Sequence, residues 1–146
     1  MSIFYKTIEG ACVKENLPIG NENILFVDDE APIAKMGSKV LEQLGYAVTA
    51  RTSSIEALEL FRSKPQTFDL VISDMTMPNM TGDKMAAEMI NIRSDIPVVL
   101  CTGYSKKITE ESAADIGIKA LVYKPVVKAD LAKTVRKVLD ETKSSE

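Results

Sequence analysis

Short apolar runs alternate with amphipathic segments along the chain from Asn23 onward. Apolar runs of four or five residues, rich in β-branched side chains, are too short for helices and are typical of strands buried on both faces. Five candidate strands follow one another, at 24–27, 46–50, 70–73, 97–101 and 120–123. The second mixes aromatic, β-branched and small residues, which predicts an edge strand.

Between the runs, apolar residues recur at spacings of three and four, as on one face of an amphipathic helix. The first helix is predicted to begin at Pro32, where a missing N–H is harmless, and to end at Gly45. Its predicted inward face consists of Ile33, Met36, Gly37, Val40, Leu41 and Leu44. The second helix begins with a capping box of Ser53 and Glu56 and ends before Pro65. Its predicted inward residues are Ile55, Leu58 and Phe61.

Three further helices complete the alternation. The third, at 83–92, is predicted to face inward through Met85, Ala86, Met89 and Ile90. The fourth, at 106–116, offers only Ile108, Ala113 and Ile116. The last is predicted to face inward through Val127, Leu131, Val135, Val138 and Leu139. Strands that alternate with helices predict an α/β fold, with a doubly wound five-stranded parallel sheet covered by five helices.

Residues 1–22 differ from the rest of the chain. A short apolar run at 3–5 precedes glycine, proline and charged residues that show no helical or strand periodicity. We expect a linker or N-terminal extension over 1–22, a domain over 23–141 and a polar tail over 142–146. The chain has 146 residues, of which 45% are hydrophobic, and a net charge of −3. This composition suits one packed domain and argues against direct binding of nucleic acid.

No apolar run approaches the roughly 18 residues that span a bilayer, and the N-terminus lacks a secretory pattern. We therefore expect a cytoplasmic location and no membrane contact by this segment. The two cysteines, Cys12 and Cys101, form no metal framework, and the chain has no histidine. Any metal must consequently be held by oxygen atoms.

Polar residues follow the predicted strands where each strand ends. Asp28 and Asp29 follow the first strand, Asp74 the third, Thr102 the fourth and Lys124 the fifth. The carboxyl ends of parallel strands lie on one edge of the sheet, where open α/β sheets bind their ligands. We therefore expect these five residues to converge.

Three carboxylates at one place repel each other, by about 4 kcal/mol for two charges ~4 Å apart at an effective dielectric constant of 20. Lys124 supplies one positive charge, and Mg²⁺, which prefers carboxylates and phosphate oxygens, would bring the sum to zero. Asp74 would be ionised at neutral pH and could attack a phosphoryl donor without a base. Thr102 could donate a hydrogen bond to the phosphoryl group, and Lys124 could pair with it.

These residues resemble the receiver domain of two-component response regulators. The resemblance covers residues 23 to about 141 and implies a flavodoxin-like strand order of 2-1-3-4-5. It rests on Val27-Asp28-Asp29-Glu30, Asp74 followed by Met77-Pro78 and Gly82, Thr102-Gly103, and Tyr123-Lys124-Pro125. It implies that Asp74 is the phosphoacceptor in a phosphorelay. The donor would be a phosphohistidine on a histidine kinase or a histidine phosphotransfer domain.

The resemblance also implies a metal site and an output surface. Mg²⁺ would be held by Asp29, Asp74 and the main-chain carbonyl of Thr76, with Asp28 acting partly through water. The output surface, and a face for a homodimer, would be the fourth helix, fifth strand and fifth helix. Such a domain is not an enzyme beyond its own phosphorylation and slow dephosphorylation.

Two further pairs of residues are expected to tune the switch. Thr102 and Tyr123 match the family's switch pair, in which the hydroxyl moves toward the phosphoryl group and the aromatic ring turns inward. Thr76 and Tyr104 occupy the positions that face the attacking water. Neither is an acid or an amide, so we expect slow hydrolysis of the acyl phosphate.

Other functions remain open from the sequence. A Mg²⁺-dependent phosphohydrolase would place its nucleophile after the first strand and an acid two residues later, where Ala31 follows Asp29. A pseudo-receiver that only binds a partner would not need all five polar residues. The Gly-x-x-x-x-Gly-Lys loop of a nucleotide enzyme is absent, and the acidic first loop would repel the phosphate of an FMN carrier.

The run at residues 3–5 is similar to the end of the ATP-binding domain of a histidine kinase. We therefore expect the C-terminal receiver of a hybrid sensor kinase, with a free-standing single-domain regulator as the rival.

Overall fold

Strands and helices alternate throughout the computed structural model, which describes residues 17–103 and 108–144. The strands are β1 (Asn23–Val27), β2 (Ala47–Arg51), β3 (Leu70–Asp74), β4 (Val98–Thr102) and β5 (Ala120–Tyr123). The helices are α1 (Ala31–Gln43), α2 (Ser54–Ser63), α3 (Gly82–Ile92), α4 (Glu110–Ile116) and α5 (Lys128–Ser144). Among these described residues, no helix is both long enough and apolar enough to cross a membrane.

The five strands form one parallel sheet in the order β2-β1-β3-β4-β5. This confirms the predicted doubly wound α/β fold and places β2 at an edge. The register sets Asp74 at the end of β3 opposite Cys101 of β4, and Thr102 of β4 opposite Tyr123 of β5. Polar residues at the strand ends are thereby brought to one edge of the sheet.

Helices cover both faces of the sheet. Alternate residues of a strand point to opposite faces, so that Leu25 and Val27 pack with α2, α3 and α4, while Ile24 and Phe26 pack with α1 and α5. Every residue of β3 and of β4 is buried. This is why both sequences are continuous apolar runs rather than alternating ones.

Four residues that were predicted to face inward are exposed instead: Ile33, Met36, Ile55 and Val127. In α1 a Cβ atom on Gly37 would lie 2.4 Å from the ring of Phe26, so the helix approaches the sheet at Gly37 itself. The bulky residue beside it, Met36, is turned aside and is 66% exposed. Val127 is exposed because α5 begins only at Lys128.

The fourth helix begins later than predicted, at Glu110 rather than Lys106, which lies outside the described residues. Its start is set by a reciprocal capping box, in which the side chains of Thr109 and Ser112 each bond the other residue's backbone N–H. Gly117 ends the helix with φ of 108°, a left-handed conformation that favours glycine.

Residues 17–22, which the sequence assigns to a linker, pack against the domain and are called the lead-in segment below. The backbone N–H of Gly20 donates to the carbonyl of Leu44 at 3.0 Å. The side chain of Glu22 is buried and forms an ion pair of 2.7 Å with Arg136. The predicted extension over residues 1–16, including the run at 3–5, lies outside the described residues.

Acid is expected to remove the stabilisation that Glu22 provides. The hydrogen bond from Arg136 lowers the pKa of Glu22 from 4.5 to about 2, although burial acts in the opposite direction. A carboxylate whose pKa is lower in the folded protein stabilises the fold at pH values above its pKa in the unfolded chain. This contribution is lost as the pH falls from 4.5 toward 2. The free energy of unfolding of wild type should exceed that of Glu22→Gln by about 3 kcal/mol at pH 7, and by less than about half of that near pH 3.

Urea denaturation of both proteins at the two pH values measures this difference, and the comparison cancels the titration of the other carboxylates. A difference between the variants that stays constant from pH 7 to pH 3 would contradict the expectation.

Candidate functional site

Three aspartates meet at the carboxyl edge of the sheet. Asp28 and Asp29 follow β1, and Asp74 is the last residue of β3. One carboxylate oxygen of each lies within 4.8 Å of the others. Asp28 and Asp74 are buried, and Asp29 is partly exposed. The cluster therefore concentrates negative charge where water can offset little of it.

Lys124 offsets part of this charge. Its ammonium Nζ lies 2.7 Å from Oδ1 of Asp74. Burial alone would lower the pKa of Lys124, but the hydrogen bond to Asp74 and the charges of Asp74 and Asp28 outweigh it and raise the pKa. The backbone N–H of Lys124 donates to the carbonyl of Thr102 at 2.9 Å, which ties the end of β5 to the end of β4. The Lys124-Pro125 peptide bond is cis.

The charge of the cluster remains incompletely balanced at Asp28. Burial raises the pKa of Asp28, the backbone N–H of Glu30 opposes this by donating to Oδ1 at 2.9 Å, and the charge of Asp74 raises the pKa further. Among the described residues, three carboxylates and one lysine leave a net negative site of oxygen ligands. Oxygen ligands with net negative charge are what a hard divalent cation such as Mg²⁺ prefers, so the residues present fit this ion.

The loop after β3 holds the end of this strand in place. Met75 and Met77 are buried on either side of the exposed Thr76. The N–H of Gly82, the first residue of α3, donates to the carbonyl of Met75 at 2.8 Å. A Cβ atom on Gly82 would lie 2.2 Å from the carbonyl oxygen of Asp74. Only glycine can approach the Asp74 backbone this closely.

The expected switch residues lie side by side on β4 and β5. Thr102 is buried, and its hydroxyl donates to the carbonyl of Gly103 at 3.0 Å. Tyr123 lies outward, and its hydroxyl donates to Oε2 of Glu110 at 3.4 Å. Tyr104, the residue expected to tune hydrolysis, lies outside the described residues.

An apolar groove beside the site was not foreseen from the sequence. It encloses about 280 Å³ between α1 and the start of α5 and is called the α1–α5 groove below. Its walls include Phe26, Met36 and Val126, and Cys101 and Lys124 also line it. Burial raises the pKa of the Cys101 thiol to about 12. Cys101 is therefore an uncharged residue in the wall of the groove and not a nucleophile. The sequence signal for this groove was the pair of large apolar residues Ile33 and Met36. Their helical spacing predicted that they are buried, whereas both are exposed.

Comparisons with known proteins agree on one family. The family model described as "Response regulator receiver domain" matches residues 24–136. The "Sensor kinase CckA" of Brucella abortus is 29% identical over 122 residues, which cover 84% of this chain and 13% of that protein. The "Probable transcriptional regulator ycf27" of Guillardia theta is 32% identical over 135 residues, covering 92% and 52% respectively. The chain therefore spans about half or less of these curated relatives.

Two solved structures of receiver domain proteins match over nearly their whole length. A response regulator receiver domain protein from Clostridium thermocellum aligns with a TM-score of 0.81 and 29% identity, covering 86% of this chain and 99% of that one. A CheY-like receiver domain protein from Methanospirillum hungatei aligns with a TM-score of 0.79 and 26% identity, covering 87% and 100%.

Proposed function

Because this chain belongs to the response regulator receiver family of two-component systems, we propose that Asp74 is its phosphoacceptor. The observation that carries the proposal is the convergence of Asp28, Asp29 and Asp74 with Lys124, whose ammonium lies 2.7 Å from Asp74. The proposed donor is a phosphohistidine on a histidine kinase or a histidine phosphotransfer domain.

The proposed reaction transfers one phosphoryl group. An oxygen of the Asp74 carboxylate attacks the phosphorus atom, the P–N bond to the donor imidazole breaks, and the imidazole leaves with the bonding electrons. The product is an acyl phosphate on Asp74. Phosphoryl transfer depends chiefly on positioning and charge stabilisation. Lys124 supplies a positive charge, and the Thr102 hydroxyl, once it leaves Gly103, can donate to a phosphoryl oxygen.

Receiver domains bind Mg²⁺ at an acidic pocket, and we assign the site in this chain to Asp28, Asp29, Asp74 and the main-chain carbonyl of Thr76. When bound, the ion would neutralise negative charge on the carboxylates and on the transferring phosphoryl group. Burial is the main cause of the raised pKa of Asp28, and the charge of Asp74 adds to it. A cation beside these carboxylates would favour their charged forms, which supports this assignment.

The proposed switch uses the contacts that Thr102 and Tyr123 make in the structure. When the Thr102 hydroxyl turns toward the phosphoryl group, it gives up its bond to Gly103, and Tyr123 can turn inward behind it by leaving Glu110. Both residues adjoin the surface formed by α4, β5 and α5. We assign output, and a homodimer contact, to this surface.

The partner that donates the phosphoryl group requires access to Asp74. Exposed apolar residues lie beside the site along the α1–α5 groove, namely Ile33, Met36 and Val126. Large exposed apolar side chains that cluster next to a reactive group are typical of a protein contact surface. They support a role for this surface in binding the donor protein.

Receiver domains are generally not catalytic enzymes, and we propose that this one catalyses only its own phosphorylation and a slow dephosphorylation. Thr76 and Tyr104 are the residues assigned to tuning that hydrolysis. The similarity to a sensor kinase over 84% of this chain supports a receiver at residues 23–141 of a hybrid kinase. The rival is a free-standing single-domain regulator, and the matched transcriptional regulator is covered over only 52% of its length.

Intact-mass spectrometry after incubation with acetyl phosphate tests the phosphoacceptor. We expect one added phosphoryl group with Mg²⁺, and none with EDTA or with Asp74→Asn. Asp115→Asn, which changes an exposed acid in α4, is the matched control and should be phosphorylated like wild type. If Mg²⁺ binds but no adduct forms, the chain is instead a pseudo-receiver that acts by protein binding.

A further inference from the structure

A cluster of charged residues joins the lead-in segment to α5 at the amino end of β1, whereas the phosphoacceptor lies at the carboxyl edge of the sheet. Arg136 donates from Nη1 to Oε1 of Glu22 at 3.1 Å and from Nη2 to Oε2 at 2.7 Å. Lys143 of α5 pairs with the same carboxylate. These three residues are called the clasp. A two-pronged arginine–carboxylate pair fixes orientation as well as distance, so Glu22 is held in one position against α5.

The backbone of the lead-in segment packs closely against the residues around the clasp. A Cβ atom on Gly20 would lie 2.4 Å from Nη1 of Arg136 and 2.4 Å from the ring of Tyr46, and one on Gly45 would lie 2.3 Å from the carbonyl of Gly20. Arg136 also donates to the carbonyl of Ile19 at 3.2 Å. The segment is therefore packed as part of the domain: backbone hydrogen bonds join it to Leu44 and Ala47, and Arg136 joins it to α5.

The other end of α5 lies beside the phosphoacceptor. The helix begins at Lys128, four residues after Lys124, which holds Asp74. Lys128 and Leu131 of its first turn border the α1–α5 groove, whereas the body of the helix packs on the sheet through Val135, Val138 and Leu139. The first turn of α5 therefore has space beside it, and the C-terminal half of the helix contains the clasp residues Arg136 and Lys143.

We propose that the lead-in segment is a strap that follows α5, so that phosphorylation of Asp74 changes how firmly the chain N-terminal to the domain is held. The inference rests on the proposed function, because Lys124 must leave the carboxylate and pair with the phosphoryl group. That change displaces the loop at 124–127 and shifts the first turn of α5 into the groove. Arg136 is on the same helix and moves with it.

The buried charge of Glu22 explains why the strap follows the helix. A buried carboxylate that loses its partner is left as an uncompensated charge, which is strongly destabilising. Glu22 therefore follows Arg136 or opens together with its own backbone. Either response changes the protection of the backbone N–H groups that bond this segment, namely Gly20 to Leu44 and Ala47 to Glu22.

Hydrogen exchange of the full chain, read by mass spectrometry, tests the strap. With acetyl phosphate and Mg²⁺, the peptide over residues 17–23 should change its exchange rate by about threefold or more relative to the unphosphorylated protein. In Glu22→Gln the same peptide should exchange about tenfold faster in both states and lose the dependence on phosphorylation. Arg136→Lys, which keeps the charge but removes the two-pronged contact, should behave similarly and serves if Glu22→Gln unfolds.

Lys137→Gln is the matched control, since Lys137 is an exposed charged residue of the same helix, next to Arg136 in the sequence. It should retain the wild-type response. Unchanged exchange of the 17–23 peptide in samples whose intact mass shows the phosphoryl adduct overturns the inference alone. Samples in which wild type takes up no phosphoryl group overturn the proposed function, and the coupling with it.

Discussion

Replacing Lys124 with methionine is expected to slow phosphorylation of Asp74 by about a hundredfold, because removing one preorganised charge from a developing anion typically costs that much. The Lys124 ammonium lies 2.7 Å from Asp74 and, in the part of the chain that the structure describes, is the positive side chain that contacts the acidic cluster. Methionine keeps a similar length and fills similar space, so the fold should remain intact. The rate of adduct formation with acetyl phosphate and Mg²⁺ measures the effect.

Lys128→Met is the control for the Lys124 experiment. Lys128 also borders the α1–α5 groove, but its ammonium bonds Gln43 at 3.1 Å and not the aspartates. Its removal should leave the phosphorylation rate within about twofold of wild type, since an exposed charge away from the reacting group contributes little. Equal losses in both variants would mean that general positive charge near the groove matters, and not the contact with Asp74.

The sequence was sufficient to predict the parallel sheet and the residues that meet at its carboxyl edge. Strands buried on both faces are continuous apolar runs, and a parallel sheet brings all their carboxyl ends together. Asp28 and Asp74 are 46 positions apart, yet topology alone predicts that they meet. Features that the fold class determines therefore follow from the sequence.

Features that depend on how elements are rotated and paired could not be inferred in this way. The spacing of Ile33 and Met36 predicts a helix, but the contact of Gly37 with Phe26 decides which side of that helix faces the sheet. Glu22 and Arg136 are 114 positions apart, and no local pattern links them. The lead-in segment therefore resembled a linker, because its one glycine, Gly20, and its one charged residue, Glu22, are held in place by contacts with Leu44 and with α5.

Gly82→Ala should be the most destabilising single change near the site, by about 3 kcal/mol. Alanine favours a helix over glycine by up to about 1 kcal/mol, so propensity alone predicts a gain at the first residue of α3. The added Cβ would lie 2.2 Å from the Asp74 carbonyl and 3.0 Å from Cα of Met75, and both neighbours are backbone atoms that cannot rotate away. The clash should outweigh propensity, and the midpoint of thermal unfolding should fall by about 10 °C.

Gly103→Ala separates this clash from a general effect of adding a methyl group near the site. Among the described residues, no atom lies within 4 Å of a Cβ atom built on Gly103. Its stability should stay within about 0.5 kcal/mol of wild type. Adduct formation on Gly82→Ala, measured where that variant is still folded, should be about tenfold slower or more, because displacement of a reacting group by a fraction of an ångström is costly. If Gly82→Ala were as stable as Gly103→Ala but still slow, the close packing at Gly82 would serve to position Asp74 rather than to stabilise the fold.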